Sequence, residues 1–144
     1  MNARTQLSRL LPLLALMLLP ATGLAQTPPT GERVAVPGGA YWNISVAELQ
    51  SMRAADADMP LVNVHVPFQG DIQGTDLSIP FNEIGDHLGE LPADKDAPVV
   101  LYCRSGPMSV RAATTLAGLG YTNVRSLVGG FNAWAAAGLP MVNP

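Results

Sequence analysis

The sequence predicts an α/β domain, a short parallel sheet flanked by helices on both faces, and three observations carry that reading. Two nearly unbroken apolar runs, Leu61-Val62-Asn63-Val64 and Val99-Val100-Leu101-Tyr102, lack the polar alternation of a half-exposed strand and fit strands buried on both faces. Stretches of helical period separate the strand-like segments, the pattern of βαβ units. Glycine and proline punctuate the boundaries: Pro60, Pro67 and Pro98 beside the strands, Gly120 and Gly138 after helical stretches. At 144 residues the chain has room for one such domain.

The first 25 residues stand apart. Arg4 and Arg9 precede the apolar run Leu10–Leu19, and Gly23 and Ala25 are small residues placed for cleavage. This is the layout of a cleavable secretory signal, with cleavage after Ala25 and a periplasmic or secreted product. The apolar run is too short to span a bilayer, so no stable membrane anchor is expected after cleavage. Residues 26–39, rich in Pro, Gly and Thr, read as a flexible N-terminal segment, and the folded domain is expected over residues 40–142.

Within the domain, Ser45-Val46-Ala47-Glu48 is a capping box, and Val46, Leu49 and Met52 share one helical face, predicting a helix to about Ala55. The strand 61–64 follows. Asn82 is placed to cap a short helix ending near Gly89, with His87 complementing its C-terminal dipole. Beyond the strand 99–102, Met108–Leu119 reads as a helix stopped by Gly120. Val124–Leu127 reads as a third strand, and Phe131–Ala137 as a helix after the Gly129-Gly130 turn. Phe131 and Trp134, three apart on that helix, are core candidates.

Composition excludes several functions. With 48% hydrophobic residues, 13% charged and a net charge of −3, the chain is neither disordered nor built to bind nucleic acid. A single cysteine excludes an internal disulfide and a zinc knuckle. Asp71, Asp76 and Asp86 are scattered rather than spaced for a metal, and Gly129-Gly130 lacks the spacing of a nucleotide loop. No cofactor is expected.

Chemistry in an open parallel sheet gathers beyond the carboxyl ends of its strands. There the sequence places Cys103-Arg104-Ser105-Gly106-Pro107-Met108-Ser109, between a strand and a helix. Loop amides and the positive end of the helix favour a thiolate, the nucleophilic form, and suit a bound oxyanion or persulfide. Arg104 adds a nearby cation. The alternative is an inert core thiol. His65, after the strand 61–64, lies at the same sheet edge. It reads either as a base for Cys103 or as a locally hydrogen-bonded structural residue, with the structural role favoured.

Cys103-Arg104-Ser105-Gly106 after an apolar strand resembles the active-site loop of single-domain rhodaneses, of an exported type here. Val128-Gly129-Gly130-Phe131-Asn132-Ala133-Trp134 resembles the family's Gly-Gly-x-x-x-Trp signature. Gly120-Tyr121-Thr122-Asn123-Val124 also fits, and Leu61-Val62-Asn63-Val64-His65 stands in the place of the family's Asp-Val-Arg strand. The resemblance implies a rhodanese-like fold and transfer of a sulfane sulfur. The donor would be thiosulfate-like or a persulfide, the acceptor a thiol or cyanide, and Cys103 would carry the sulfur as a persulfide. Arg104, Ser105, Gly106 and Met108 would line the substrate.

Three features, covering four positions, depart from the pattern. Met108 stands where the family loop usually has Arg. Pro107 removes one amide donor, although its fixed φ suits a helix start. Asn63 and His65 replace the usual Asp and Arg, so the loop needs another brace. Arg111, on the solvent face, is the nearest replacement cation. A cysteine phosphatase is excluded, because its loop would need Arg at Ser109. The rival function is a non-catalytic rhodanese-like module that binds an anion, a thiol or a partner protein, with Cys103 redox-sensitive.

Overall fold

The computed structural model describes residues 30–144. The expected signal segment and its cleavage point lie outside the described residues. The strands are β1 Glu32–Val36, β2 Gly39–Ile44, β3 Leu61–Asn63, β4 Asp71–Ile72, β5 Leu77–Ser78, β6 Val99–Tyr102, β7 Val124–Leu127 and β8 Met141–Val142. The helices are α1 Val46–Ala55, α2 Pro107–Gly118 and α3 Gly130–Ala136.

Six strands form the main sheet in the order β1-β2-β7-β6-β3-β5, and β4 and β8 form a separate antiparallel pair. Strand pairing is parallel throughout the main sheet except between β1 and β2. The sheet is therefore mixed and mostly parallel. Every residue of β6 and β7 is buried, which is why their sequences do not alternate.

Successive side chains of these strands feed two cores. On one face, Val62, Val99, Leu101 and Val124 pack with Ala112, Ala113 and Leu116 of α2. On the other, Leu61, Val100, Tyr102 and Leu127 pack with Leu49 of α1 and with Phe131 and Trp134 of α3. Both aromatic residues of α3 are core residues, as their spacing predicts, and the Trp134 indole N–H donates to the Pro140 carbonyl at 3.0 Å.

The capping box forms as expected. The Glu48 N–H donates to Ser45 Oγ at 3.2 Å, and the Ser45 N–H donates to Glu48 Oε2 at 2.7 Å. Three other expectations are corrected. The supposed flexible lead contains β1, whose residues pair from Glu32 with Asn43 to Val36 with Gly39 across the Pro37-Gly38 turn. Ordered structure thus begins before Tyr41, because an edge hairpin gains ladder hydrogen bonds even with little side-chain burial. Asn82 caps nothing. Residues 84–90 form two 3₁₀ turns, Ile84–Asp86 and Leu88–Glu90, and Glu83 precedes the first without a side-chain cap. His87 sits between those turns, 2.6 Å from Glu90 Oε2, so a carboxylate rather than a helix dipole is its partner.

Candidate active site

Cys103 directly follows β6, at the centre of the sheet's carboxyl edge, and is 1% exposed. The chain turns at once into α2. The Gly106 N–H donates to Cys103 Sγ at 3.0 Å. That donor and the N-terminus of the twelve-residue α2 both favour negative charge on the sulfur. Gly106 has φ of +126°, a conformation that side chains rarely adopt, and it is the residue before the helix. Pro107 begins α2, where its missing N–H costs no intrahelical bond. The proline is thus a helix start, one residue earlier than the sequence suggests.

Two supports hold the loop. Beneath it, Ser109 Oγ donates to the Gly106 carbonyl at 2.9 Å and lies 2.9 Å from Ser126 Oγ of β7, with both serines buried. Beside it, the Phe131 N–H donates to the Cys103 carbonyl at 2.9 Å and the Asn132 N–H to the Arg104 carbonyl at 3.0 Å. These bonds explain the glycine pair. Gly130 has φ of +54°, and a Cβ there would run into the Cys103 carbonyl oxygen and the Arg104 backbone. Ser109 and Ser126 are supports of the loop that the sequence reading missed. Their signal was a pair of polar residues at buried positions of a helix and a strand.

The residues expected to line the substrate are adjacent on the loop but differ in character. Arg104 and Ser105 are exposed, Gly106 is half-buried, and Met108 packs half-buried against the α2-side core. Arg111, the nearest replacement cation by sequence, has its guanidinium over the Phe81 ring, 4.6 Å from the centroid.

The brace that replaces the usual ion pair centres on Asn63, which is fully buried. Asn63 Nδ2 donates to the Gly70 carbonyl at 3.0 Å and to Asp71 Oδ1 at 2.9 Å, and Asn63 Oδ1 accepts from the His65 N–H at 3.0 Å. The Tyr102 hydroxyl donates to the same Asp71 oxygen at 3.2 Å, accepts from the Ile72 N–H at 3.0 Å and contacts Thr75 Oγ1 at 2.7 Å. Burial, the largest cause, holds the Tyr102 hydroxyl far above its ordinary pKa, so it stays protonated as a donor. His65 has the local role: Nε2 lies 3.0 Å from Gln69 Oε1, and its ring meets Phe131 edge-on at 5.6 Å. Asp76 accepts the Leu61 N–H at 2.8 Å, and no group of three potential metal ligands occurs among the described residues.

The rhodanese-like domain model matches residues 61–137, from β3 through α3, with the cysteine loop at its centre. The chain belongs to the rhodanese-like family. A sulfurtransferase of Allochromatium vinosum is 42% identical over 102 residues, covering 68% of this chain and 92% of the relative. The thiosulfate sulfurtransferase GlpE of Haemophilus influenzae is 45% identical over a shorter stretch, 34% of this chain and 47% of that protein. The human single-domain sulfurtransferase TSTD1 superposes with a TM-score of 0.57 at 26% identity, over 65% of this chain and 95% of that one. A rhodanese-related protein of Thermoplasma volcanium gives a TM-score of 0.59 at 27% identity, over 71% of this chain and 98% of its own. The rhodanese-like fold expected from the cysteine loop and the Gly-Gly-x-x-x-Trp segment is the fold observed. The chain is thus a member of a family that includes sulfurtransferases.

Proposed function

We propose that this protein is an exported sulfurtransferase that works through a persulfide on Cys103. The carrying observation is the Gly106 N–H donating to Cys103 Sγ at 3.0 Å, at the head of α2. A resting core thiol has no need of such a donor, whereas a sulfur that gains and loses negative charge does. The Cys103 thiolate attacks the outer sulfur of a thiosulfate-like or persulfide donor. The donor's S–S bond breaks, sulfite or a thiolate leaves, and the sulfur remains on Cys103. A thiolate or cyanide then attacks that outer sulfur and Cys103 departs as a thiolate. Loop amides of residues 104–106 and 108, with Arg104, would hold the charge during both steps. Export is inferred from the charge and hydropathy layout of residues 1–25.

Met108 favours a second reading, a rhodanese-like module that binds but does not turn over, because a thioether supplies no charge for an anionic donor. The decisive experiment is a thiosulfate:cyanide assay on protein beginning after Ala25, with Cys103→Ala as control. It is paired with mass spectrometry after treatment with thiosulfate and, separately, with glutathione persulfide. Gain of one sulfur on Cys103 and cysteine-dependent thiocyanate formation are expected. A protein that gains no sulfur from either donor is a binding module.

A further inference from the structure

Among the described residues Arg125 is the only charged side chain that is buried, at 4% exposure. Burying a guanidinium is costly unless an anion and hydrogen bonds compensate it, and Arg125 has neither in full. Both ion pairs among the described residues are made by His87, so no described carboxylate reaches Arg125. Its Nε has no hydrogen-bond partner, and its Nη1 has only the Val124 carbonyl at 3.5 Å, longer than an ordinary hydrogen bond. Its cover is aromatic: the guanidinium lies over the Trp42 ring, 4.8 Å from the centroid. Burial lowers the Arg125 pKa from its usual value, but a guanidinium stays charged at neutral pH.

The sheet register places a second arginine beside it. Arg33 of β1 pairs with Trp42 of β2, and Trp42 with Arg125 of β7. Residues directly opposite one another on neighbouring strands project from the same face, so the two arginines flank one indole. The next residue in the row, Val100 of β6, belongs to the core under α1 and α3, whereas Cys103 belongs to the core under α2. The row thus lies on the opposite face from the nucleophile and about 10 Å short of it along the strand. Beside the row is a cavity of about 230 Å³, walled by Arg33, Ala40, Trp42, Ala117, Tyr121 and Thr122. Lys95 Nζ lies 5.5 Å from the centroid of the Tyr121 ring. Three of the six basic side chains among the described residues, Arg33, Lys95 and Arg125, therefore gather around one cavity. The Thr122 hydroxyl donates to Asp96 Oδ1 at 2.5 Å, but Asp96 forms an ion pair with none of these cations.

We propose that this cavity binds a small flat carboxylate, whose apolar body packs against Trp42 and Tyr121 and whose anionic group is held by Arg33 and Arg125. The size fits, since 230 Å³ holds about seven waters or one benzoate-sized ion. The composition fits as well: ligand pockets are mostly apolar with a few placed polar groups, and a guanidinium suits a carboxylate. A bare inorganic anion would leave the aromatic walls unused. The site is independent of the sulfurtransferase reading, because no residue of the cysteine loop takes part.

The test is a titration of isotope-labelled protein with three probes: benzoate, its uncharged counterpart benzamide, and inorganic phosphate. The readout is the indole N–H resonance of Trp42, assigned by its loss in Trp42→Phe. The other tryptophan, Trp134, donates its indole N–H to the Pro140 carbonyl and serves as the control resonance. Benzoate is expected to shift the Trp42 resonance with a Kd of about 1 mM, and benzamide and phosphate to bind at least about tenfold more weakly. Arg33→Gln, at an exposed position, should weaken benzoate at least about tenfold, and Arg125→Met should abolish its binding. Cys103→Ala should bind benzoate as the wild type does, which separates this result from sulfur transfer. A Trp42 resonance that benzoate does not move overturns the proposal, as does equal affinity for benzamide or phosphate. Undiminished affinity in folded Arg33→Gln or folded Arg125→Met overturns it too. Should Arg125→Met not fold, Arg33→Gln decides alone.

Discussion

At position 108 a half-buried thioether occupies a place from which a guanidinium would bring charge to the Cys103 loop. Met108→Arg is expected to raise kcat/KM for thiosulfate. A charge-assisted hydrogen bond contributes roughly 1.5–3 kcal/mol, equivalent to about 10- to 150-fold if it is fully realised in the transition state. The gain should shrink with added salt, because a partly exposed contact is screened. Steady-state assays with thiosulfate and with glutathione persulfide give the check. Unchanged thiosulfate turnover in a folded variant would mean that charge at 108 does not limit donor use. Position 63 yields a second expectation. Asn63 gives Asp71 a hydrogen bond, so a carboxylate at 63 would face a carboxylate with no donor between them. Asn63→Ala should cost about 1–3 kcal/mol through unpaired buried groups, and Asn63→Asp more than that at neutral pH. In the folded Asn63→Asp variant, repulsion raises the pKa of the introduced carboxyl above its unfolded value. The variant should therefore regain stability as pH falls toward about 4, and lose it as pH rises. Urea denaturation at two pH values tests both substitutions. The cysteine loop was legible in the sequence because strand, cysteine and helix start are contiguous. The Asn63 brace was not, because its partners Asp71 and Tyr102 are brought to it by the fold rather than by local spacing.

Among the elements, those with their own sequence signal were legible: the capping box of α1, the nearly unbroken apolar strands β3 and β6, and the glycine-bounded helices α2 and α3. The β1–β2 hairpin was not. Its outer strand is mostly exposed, and a Pro-Gly turn in a proline-rich stretch resembles a linker. The two-residue strands β4, β5 and β8 exist only through pairing with distant partners, so no local period announces them. The Gly129-Gly130 pair shows how a motif legible in sequence acquires its reason at this scale. It lets the start of α3 approach the cysteine loop closely enough for two backbone hydrogen bonds. Gly130→Ala should therefore damage two properties together. The left-handed backbone alone costs about 1–2 kcal/mol for a residue with a Cβ, and the contact with the Cys103 carbonyl forces the loop outward. A lower melting temperature is expected, with slower alkylation or sulfur loading of Cys103. Ala133→Gly, also on α3, should lower stability without changing the reactivity of Cys103. If Gly130→Ala melts lower yet loads sulfur at the normal rate, α3 is not the support that sets the loop.

Over the whole molecule, Tyr102 joins the main sheet to the small β4–β8 pair. It is a β6 residue, fully buried, and its hydroxyl is held by the Ile72 N–H, Thr75 and Asp71 around β4. Tyr102→Phe removes the acceptor for a buried N–H and should cost about 1–3 kcal/mol at neutral pH. Burial raises the pKa of Tyr102 in the folded state, whereas an unfolded tyrosine titrates near about 10. Above that pH the unfolded chain gives up the proton and the folded chain retains it. Stability contributed by the protonated group is thus complete below about pH 10 and is lost as pH rises, at up to about 1.4 kcal/mol per pH unit. Tyr41 is also raised, by burial and then by the charge of Glu32, so it contributes a slope of the same sign. The wild-type protein should therefore weaken steeply above about pH 10, and Tyr102→Phe should weaken less steeply while starting from a lower value. The two stability curves should converge in alkali. Urea unfolding from about pH 7 to 11 measures the separation. Curves that remain parallel across that range would show that Tyr102 ionises as readily in the folded chain as in the unfolded one, and that the tie between the two sheets does not depend on its proton.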